Sequence, residues 1–272
     1  MTEYEKLPFV VFAGVGKCGT SWLYEYLANE HEVRCPKIKE PYILNAKRSD
    51  RGKLIEELYE PGGGALLDFS NTYFNDTSTD EALSHFVNPR VVLTVREPSE
   101  RAYSHYRYIL SNGRTGEETF ASYIDSGDPN GVVDRSDYEP VVRRYQELVG
   151  RESVLVLPLE QLSEEPATYL NSLHSFLGLS TAPRLEAAEM KVRPARQSRS
   201  GLAARAAKTA AIKLRSRGYL TLLGTLKKSK TLDHVLFSQA PRTDSSTNLT
   251  RGASPKLDEL SDSYADFLAR YV

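Results

Sequence analysis

The stretch Phe9-Val10-Val11-Phe12-Ala13-Gly14-Val15-Gly16-Lys17-Cys18-Gly19-Thr20-Ser21-Trp22 constrains the fold more than any other part of the chain. An apolar run ends in three glycines, a lysine and two hydroxyl residues, and a helical pattern begins at once. That order predicts a strand, a tight turn and a helix N-terminus. Glycines let the backbone fold closely, so that several N–H groups and the helix dipole face one anion. A phosphate-like group of a ligand is expected at this loop.

With 272 residues the chain is long enough for an ample core. A formal net charge of −1 argues against a nucleic-acid binder defined by bulk charge. Two cysteines, Cys18 and Cys35, make neither a disulfide framework nor a zinc spacing, and no metal site is expected. The apolar run at the N-terminus is too short and badly flanked for a signal peptide, and no stretch approaches a membrane span. A soluble, cytoplasmic protein of a reducing compartment is the expectation.

The helical pattern of Thr20–Glu30 is followed by a short extended segment, Val33–Pro36, and by the charged turn Lys37-Ile38-Lys39-Glu40-Pro41. A helix over Arg51–Tyr59 stops at Pro61-Gly62-Gly63-Gly64, and Ala65–Phe69 reads as a buried strand. Arg90–Val95 is the clearest strand, and Pro98 opens a helix running to Leu110. Helices near Glu117–Ile124 and Asp137–Val149, a strand over Val154–Leu159 and a helix over Glu165–Leu177 complete the pattern. Apolar strands alternating with helices predict an α/β fold, a central parallel sheet covered on both faces. From Lys191 to Lys230 the chain is basic and carries no Asp or Glu. This segment reads as a solvated basic helix, as a wall over an anionic ligand, or as a contact with an acidic membrane surface. Leu257–Tyr271 reads as a closing amphipathic helix.

Three readings of the glycine loop compete. Gly14, Gly16 and Gly19 satisfy the dinucleotide fingerprint, but the required acidic residue after a second apolar strand is missing: Glu40 stands between Lys39 and Pro41. A P-loop kinase or phosphatase fits the gap from Gly14 to Gly19 and has Ser21 at its last position. Thr20, however, occupies the lysine position, the lysine lies inside the loop as Lys17, and the strand Arg90–Val95 leads into Arg96 rather than a magnesium-holding aspartate.

The third reading takes those departures as the signal. Lys17-Cys18-Gly19-Thr20-Ser21-Trp22 resembles the first donor-binding segment of sulfotransferases that use 3′-phosphoadenosine 5′-phosphosulfate. Arg96-Glu97-Pro98, followed by Arg101-Ala102-Tyr103-Ser104-His105-Tyr106, is similar to their second, and Lys39-Glu40-Pro41 to the Lys-Glu-Pro of the carbohydrate or heparan-type branch. The segments Val154–Leu162 and Phe176–Leu179 look like that branch's fourth strand and following helix, so that the resemblance covers roughly residues 8–180.

The resemblance implies a P-loop-like three-layer sandwich and one sulfotransferase domain over 1–272. Its nucleotide-binding core would span 7–180, and a basic helical segment, 191–272, would lie on the acceptor side. It further implies a soluble bacterial-type enzyme that moves a sulfuryl group, without a metal, to a hydroxyl of a glycan, glycolipid or secondary metabolite. Gly16, Lys17, Cys18, Gly19, Thr20 and Ser21 would hold the 5′-phosphate, Trp22 would face adenine, and Arg96 with Ser104 would hold the 3′-phosphate. Lys17 would stabilise the leaving group and Glu40 would be the general base, with His105 its rival; Lys39, Tyr42 and Asp68 would lie on the acceptor side. Asp68 is followed by Phe69 where heparan-type relatives carry a lysine, which argues against a copy of the heparan acceptor site. The pocket for the acceptor is expected from the Lys37–Tyr42 turn, the Phe69–Phe74 loop, the Asn112–Asp137 region and the basic tail. A P-loop small-molecule kinase and a non-catalytic module binding a nucleotide or sulfated ligand are the alternatives.

Overall fold

A computed structural model describes residues 3–112, 119–189, 196–198, 237–239 and 250–272. In chain order the elements are β1 (Phe9–Gly14), α1 (Thr20–Leu27), β2 (Val33–Arg34), α2 (Arg48–Leu58), β3 (Ala65–Asp68), α3 (Asp80–Ser84), β4 (Arg90–Val95), α4 (Pro98–Ser111), α5 (Phe120–Asp125), α6 (Glu139–Val149), β5 (Val154–Pro158), α7 (Leu159–Glu164), α8 (Pro166–Leu177), β6 (Arg196–Ser198), β7 (Phe237–Gln239), α9 (Pro255–Asp262) and α10 (Tyr264–Tyr271). They form two compact units. The first comprises Met1–Glu97, Asp137–Val192 and Ser263–Val272, the second Pro98–Ser136 and Arg193–Asp262.

The first unit is the expected α/β structure, a five-stranded parallel sheet of order β2-β3-β1-β4-β5 flanked by helices. All six residues of β1 are buried, as are five of six in β4, because strands covered on both faces need apolar side chains in both directions. Helices α1 and α8 cover one face: Leu23, Tyr26, Leu27, Tyr169, Leu170 and Leu173 pack with Val10, Phe12, Leu67, Val92 and Leu157 of the sheet. Gly178, in the left-handed conformation (φ 74°), ends α8 where the sequence placed its stop. Strand β1 is central, with β3 on one side and β4 on the other; the connection leaving β1 runs one way, to β2, and that leaving β4 runs the other, to β5, so the topology switches between β1 and β4. In open α/β sheets the crevice outside the carboxyl ends of the strands at such a point is where ligands bind.

The second unit has its own core, in which Ala102, Tyr106 and Ile109 of α4 meet Phe120 and Tyr123 of α5, Val132, Val133 and Leu257 of α9. Helix α5 begins at Phe120, where Thr119 accepts the Ser122 N–H at 3.1 Å in a capping box; Glu117, where the sequence pattern opens, lies outside the described residues. Strands β6 and β7 pair antiparallel. The closing helix expected as one piece is two, α9 and α10, broken at Ser263; α9 sends Leu257 into this second core, whereas α10 packs Phe267 against Tyr138 in the first unit, ring centroids 5.7 Å apart. Apart from 196–198, the basic stretch 191–230 lies outside the described residues. Among the described residues no helix is long and apolar enough to cross a membrane.

One polar residue interrupts the aliphatic run of β4. Thr94 is 1% exposed, its hydroxyl donates to the Gly14 carbonyl at 2.6 Å and its own carbonyl accepts the Val15 N–H at 3.1 Å. These bonds clamp the start of the glycine loop to β4. Thr94→Val should leave the buried Gly14 carbonyl without this donor and cost about 1–3 kcal/mol. Chemical denaturation measures that loss, and a fall of several degrees in thermal midpoint should accompany it.

Candidate active site

The loop after β1 is shaped by two glycines. Gly14 has φ 149°, and a Cβ there would stand 2.9 Å from the Cβ of Phe74. Gly19 has φ 84° at the N-cap of α1, and a Cβ there would fall 2.7 Å from a terminal carbon of Leu159. Between them Lys17 also takes a positive φ, 83°, an uncommon conformation for a residue with a side chain. The Trp22 and Leu23 N–H groups return to the Gly19 carbonyl at 2.9 and 3.1 Å and start the helix. The N-cap of α1 is Gly19, which has no side chain, and no acidic residue lies in the first turn, so nothing anionic of the helix's own competes at its positive end. Cys18 and Thr20 are buried beneath the loop, while Gly16, Lys17, Gly19 and Ser21 are partly exposed.

Trp22, on the first turn of α1, is buried. It is 7% exposed, stacks on Tyr26 with centroids 5.0 Å apart and donates its indole N–H to the Ala187 carbonyl at 3.2 Å. These contacts describe a core residue of α1, and the adenine-facing role draws nothing from them.

Glu40 stands on the turn that follows β2. Glu40 and Tyr42 both have left-handed backbones, φ 63° and 58°, conformations that persist in such residues only when their surroundings impose them. Here three side chains from the end of β3 and the turn Asn71–Phe74 do so. The Tyr42 N–H donates to Ser70 Oγ at 3.0 Å, the Ile43 N–H to Asp68 Oδ2 at 3.1 Å and the Leu44 N–H to the Tyr73 hydroxyl at 3.0 Å. Glu40 in turn accepts from Asn71 Nδ2 on Oε1 and from the Tyr42 hydroxyl on Oε2, each at 3.1 Å, and Lys39 Nζ lies 3.6 Å from Oε1. The Glu40 side chain keeps 31% of its surface exposed, whereas that of Lys39 keeps 10%. The result is an oriented, reachable carboxylate of the kind a general base requires.

Asp68 is fully buried. Besides the Ile43 N–H it accepts the Ser70 hydroxyl at 2.5 Å and the Tyr73 hydroxyl at 2.9 Å. Its carboxyl is pushed up to about 6, chiefly by burial, against the pull of these three donors. The structure therefore places Asp68 behind the Glu40 turn as its support. Sequence reasoning missed Ser70, Asn71, Tyr73 and Thr94, although it did single out the Phe69–Phe74 loop as a wall of the site. A buried Asp at a strand end, followed by hydroxyl and amide residues at two and three positions, was the signal available.

Arg96 follows the last residue of β4, and its carbonyl accepts the Tyr138 hydroxyl at 2.6 Å. Lys17, Arg96, Asp68 and Glu40 thus all follow or end strands of one parallel sheet at its carboxyl edge. Ser104 and His105 belong to the second unit, on α4, where the His105 ring stacks on Tyr108 with centroids 6.5 Å apart. Arg101 on the same helix is fully buried and donates to Ser136 and Val132, a structural role in that unit's core.

The raised Asp68 carboxyl carries a pH signature. A buried carboxyl that holds its proton more tightly folded than unfolded loses stabilising weight as pH rises from about 4 to about 6, and the loss is complete above that range. Compared with Asp68→Asn, which does not titrate, the native protein should lose on the order of 3 kcal/mol of relative stability across this window. Urea unfolding of both proteins at pH 4 and pH 7 measures it, and parallel profiles would contradict the burial argument.

Among curated proteins none matches the chain. The solved sulfotransferase of Alicyclobacillus acidocaldarius is similar over 69% of this chain and 87% of its own, with a TM-score of 0.57 at 20% identity, a likeness of fold. Mouse sulfotransferase SULT7A1, solved in complex with PAP, aligns over 99% of this chain and 84% of its own, at 15% identity and a TM-score of 0.45. A sequence profile described as the sulfotransferase domain matches residues 7–200, which takes in the glycine loop, the Glu40 turn and Arg96 together. With most of its length inside that match and the expected parallel sheet beneath it, the chain belongs to the sulfotransferase-domain family.

Proposed function

We propose that the protein transfers a sulfuryl group from 3′-phosphoadenosine 5′-phosphosulfate to a hydroxyl of a glycan, glycolipid or secondary metabolite. The observation that carries this reading is the placement of Lys17 inside the loop after β1 while Arg96 follows the neighbouring β4, at one carboxyl edge. A triphosphate enzyme would have its lysine at the position of Thr20 and a metal-holding carboxylate near Arg96. A 5′-phosphate at this loop is supported by α1, whose N-cap, Gly19, carries no side chain and whose first turn holds no acidic residue.

The donor supplies the sulfuryl group together with a phosphate leaving group. The residues of the chain position it and balance charge, as in phosphoryl transfer. Backbone N–H groups of residues 16–21 and the Thr20 and Ser21 hydroxyls hold the 5′-phosphate, and Lys17 meets the negative charge that grows on the bridging oxygen. Arg96 holds the 3′-phosphate; Ser104, in the second unit, is assigned to the same group by the family resemblance alone. Glu40 takes the proton of the attacking hydroxyl, with Asn71 and Tyr42 orienting its carboxylate and Lys39 beside it. Asp68 acts on the acceptor side only through the turn it supports.

Calorimetry should find adenosine 3′,5′-bisphosphate bound far more tightly than ATP without magnesium; the opposite preference favours the kinase reading. Transfer of radiolabelled sulfate from the donor into a broad metabolite and glycan pool separates the enzyme from a binding module. Glu40→Gln should lower kcat by about 10²–10⁴ while leaving bisphosphate affinity unchanged. If His105→Ala has that effect instead, the base is His105. Lys17→Ala should lower kcat by about 10²–10³.

A further inference from the structure

The peptide group between Arg96 and Glu97 is gripped at both ends by side chains that the proposed reaction does not use. Its carbonyl accepts the Tyr138 hydroxyl at 2.6 Å, and its N–H donates to Glu160 Oε1 at 2.8 Å. Tyr138 immediately precedes α6 and Glu160 lies on α7, so two separate helical segments converge on one peptide plane. A peptide is planar, and bonding both its polar ends sets the orientation of that plane. The ψ of Arg96 and the φ of Glu97 are thereby fixed, and with them the direction in which the arginine leaves β4.

The grip has its own support. The second carboxylate oxygen of Glu160 accepts the Tyr264 hydroxyl of α10 at 3.3 Å. Burial and the Glu160 carboxylate both push the Tyr264 phenol up, so it remains a donor. Tyr138 packs against Tyr264 and Phe267, ring centroids 6.3 and 5.7 Å away, and edge-on against Phe74 at 6.3 Å. Phe74 is also the residue that closes over Gly14 at the start of the glycine loop. One aromatic cluster thus backs both the Lys17 loop and the Arg96 turn.

We infer that Glu160 and Tyr138 are positioning residues for Arg96, and that Tyr264 makes α10 part of the support of the nucleotide site. The inference rests on the reading of Arg96 as the 3′-phosphate ligand. A charged acceptor on a backbone N–H is among the stronger hydrogen bonds a side chain makes, which suits holding a turn against the pull of a bound phosphate.

The test compares two nucleotides that differ only in the 3′-phosphate, adenosine 3′,5′-bisphosphate and adenosine 5′-monophosphate, by calorimetry on the full chain. Arg96→Ala calibrates it and should abolish most of the preference for the bisphosphate. Glu160→Ala should weaken the bisphosphate by about tenfold or more while the monophosphate changes by less than about twofold. Glu160→Gln should retain most of the preference, since its amide oxygen still accepts the Glu97 N–H. Tyr138→Phe keeps the ring cluster and removes only the hydroxyl, and should lose several-fold of the preference. Equal weakening of both nucleotides in Glu160→Ala, or an unchanged preference in both Glu160→Ala and Tyr138→Phe, overturns the inference while leaving Arg96 in its role. An unchanged preference in Arg96→Ala overturns the reading of Arg96 and the inference with it. Should Glu160→Ala fail to fold, Tyr138→Phe decides alone.

Discussion

Because β1 pairs in parallel with both β3 and β4, the segments that leave these strands emerge at one edge of the sheet. Parallel strands cannot be joined by tight hairpins and must return through crossovers, so their carboxyl ends are left to loops. In this chain those loops carry the residues with chemical potential. Lys17 follows β1, Asp68 ends β3, Arg96 follows β4, and Glu40 lies on the turn after β2, which pairs in parallel with β3. The same order puts the switch point of the topology between β1 and β4, the strands that lead into Lys17 and Arg96.

Loops at a sheet edge have few backbone partners of their own, and here buried and half-buried polar side chains supply them. Thr94 takes the Gly14 carbonyl, Asp68 with Ser70 and Tyr73 takes three successive N–H groups of the Glu40 turn, and Tyr138 with Glu160 takes the Arg96–Glu97 peptide. Burying a carboxylate such as Asp68 is costly unless its oxygens are paired, and its three donors offset that cost. The arrangement also explains how Glu40 and Tyr42 hold left-handed backbones without being glycine. A support built from hydrogen bonds with defined directions holds a loop more closely than apolar packing alone.

Much of the fold was legible in the chain itself. The runs Phe9–Ala13, Val91–Val95 and Val154–Leu157 are apolar at every position but Thr94, a pattern suited to strands covered on both faces. Gly14, Gly19 and the residues after them mark a turn and a helix start, and the position of Lys17 inside the loop departs from the pattern of triphosphate enzymes. Less was legible where local pattern and tertiary need diverge. The stretch Leu257–Tyr271 has one helical periodicity, yet it is two helices, because Leu257 and Phe267 bury in different cores. Trp22 matched a nucleotide-facing aromatic by position in a motif, and its ring lies in the core on Tyr26.

By itself, then, the sequence determined the parallel α/β class, the place of the glycine loop, and the candidate residues Lys17, Glu40 and Arg96, since each of these is written in a short local pattern. Only the tertiary structure decided what holds them. Asp68 reaches the Glu40 turn across 25 residues of chain, Tyr138 reaches Arg96 across 42, and Glu160 reaches Glu97 across 63. A hydrogen bond depends on distance and direction in space, and no periodicity or spacing along the chain encodes partners so far apart.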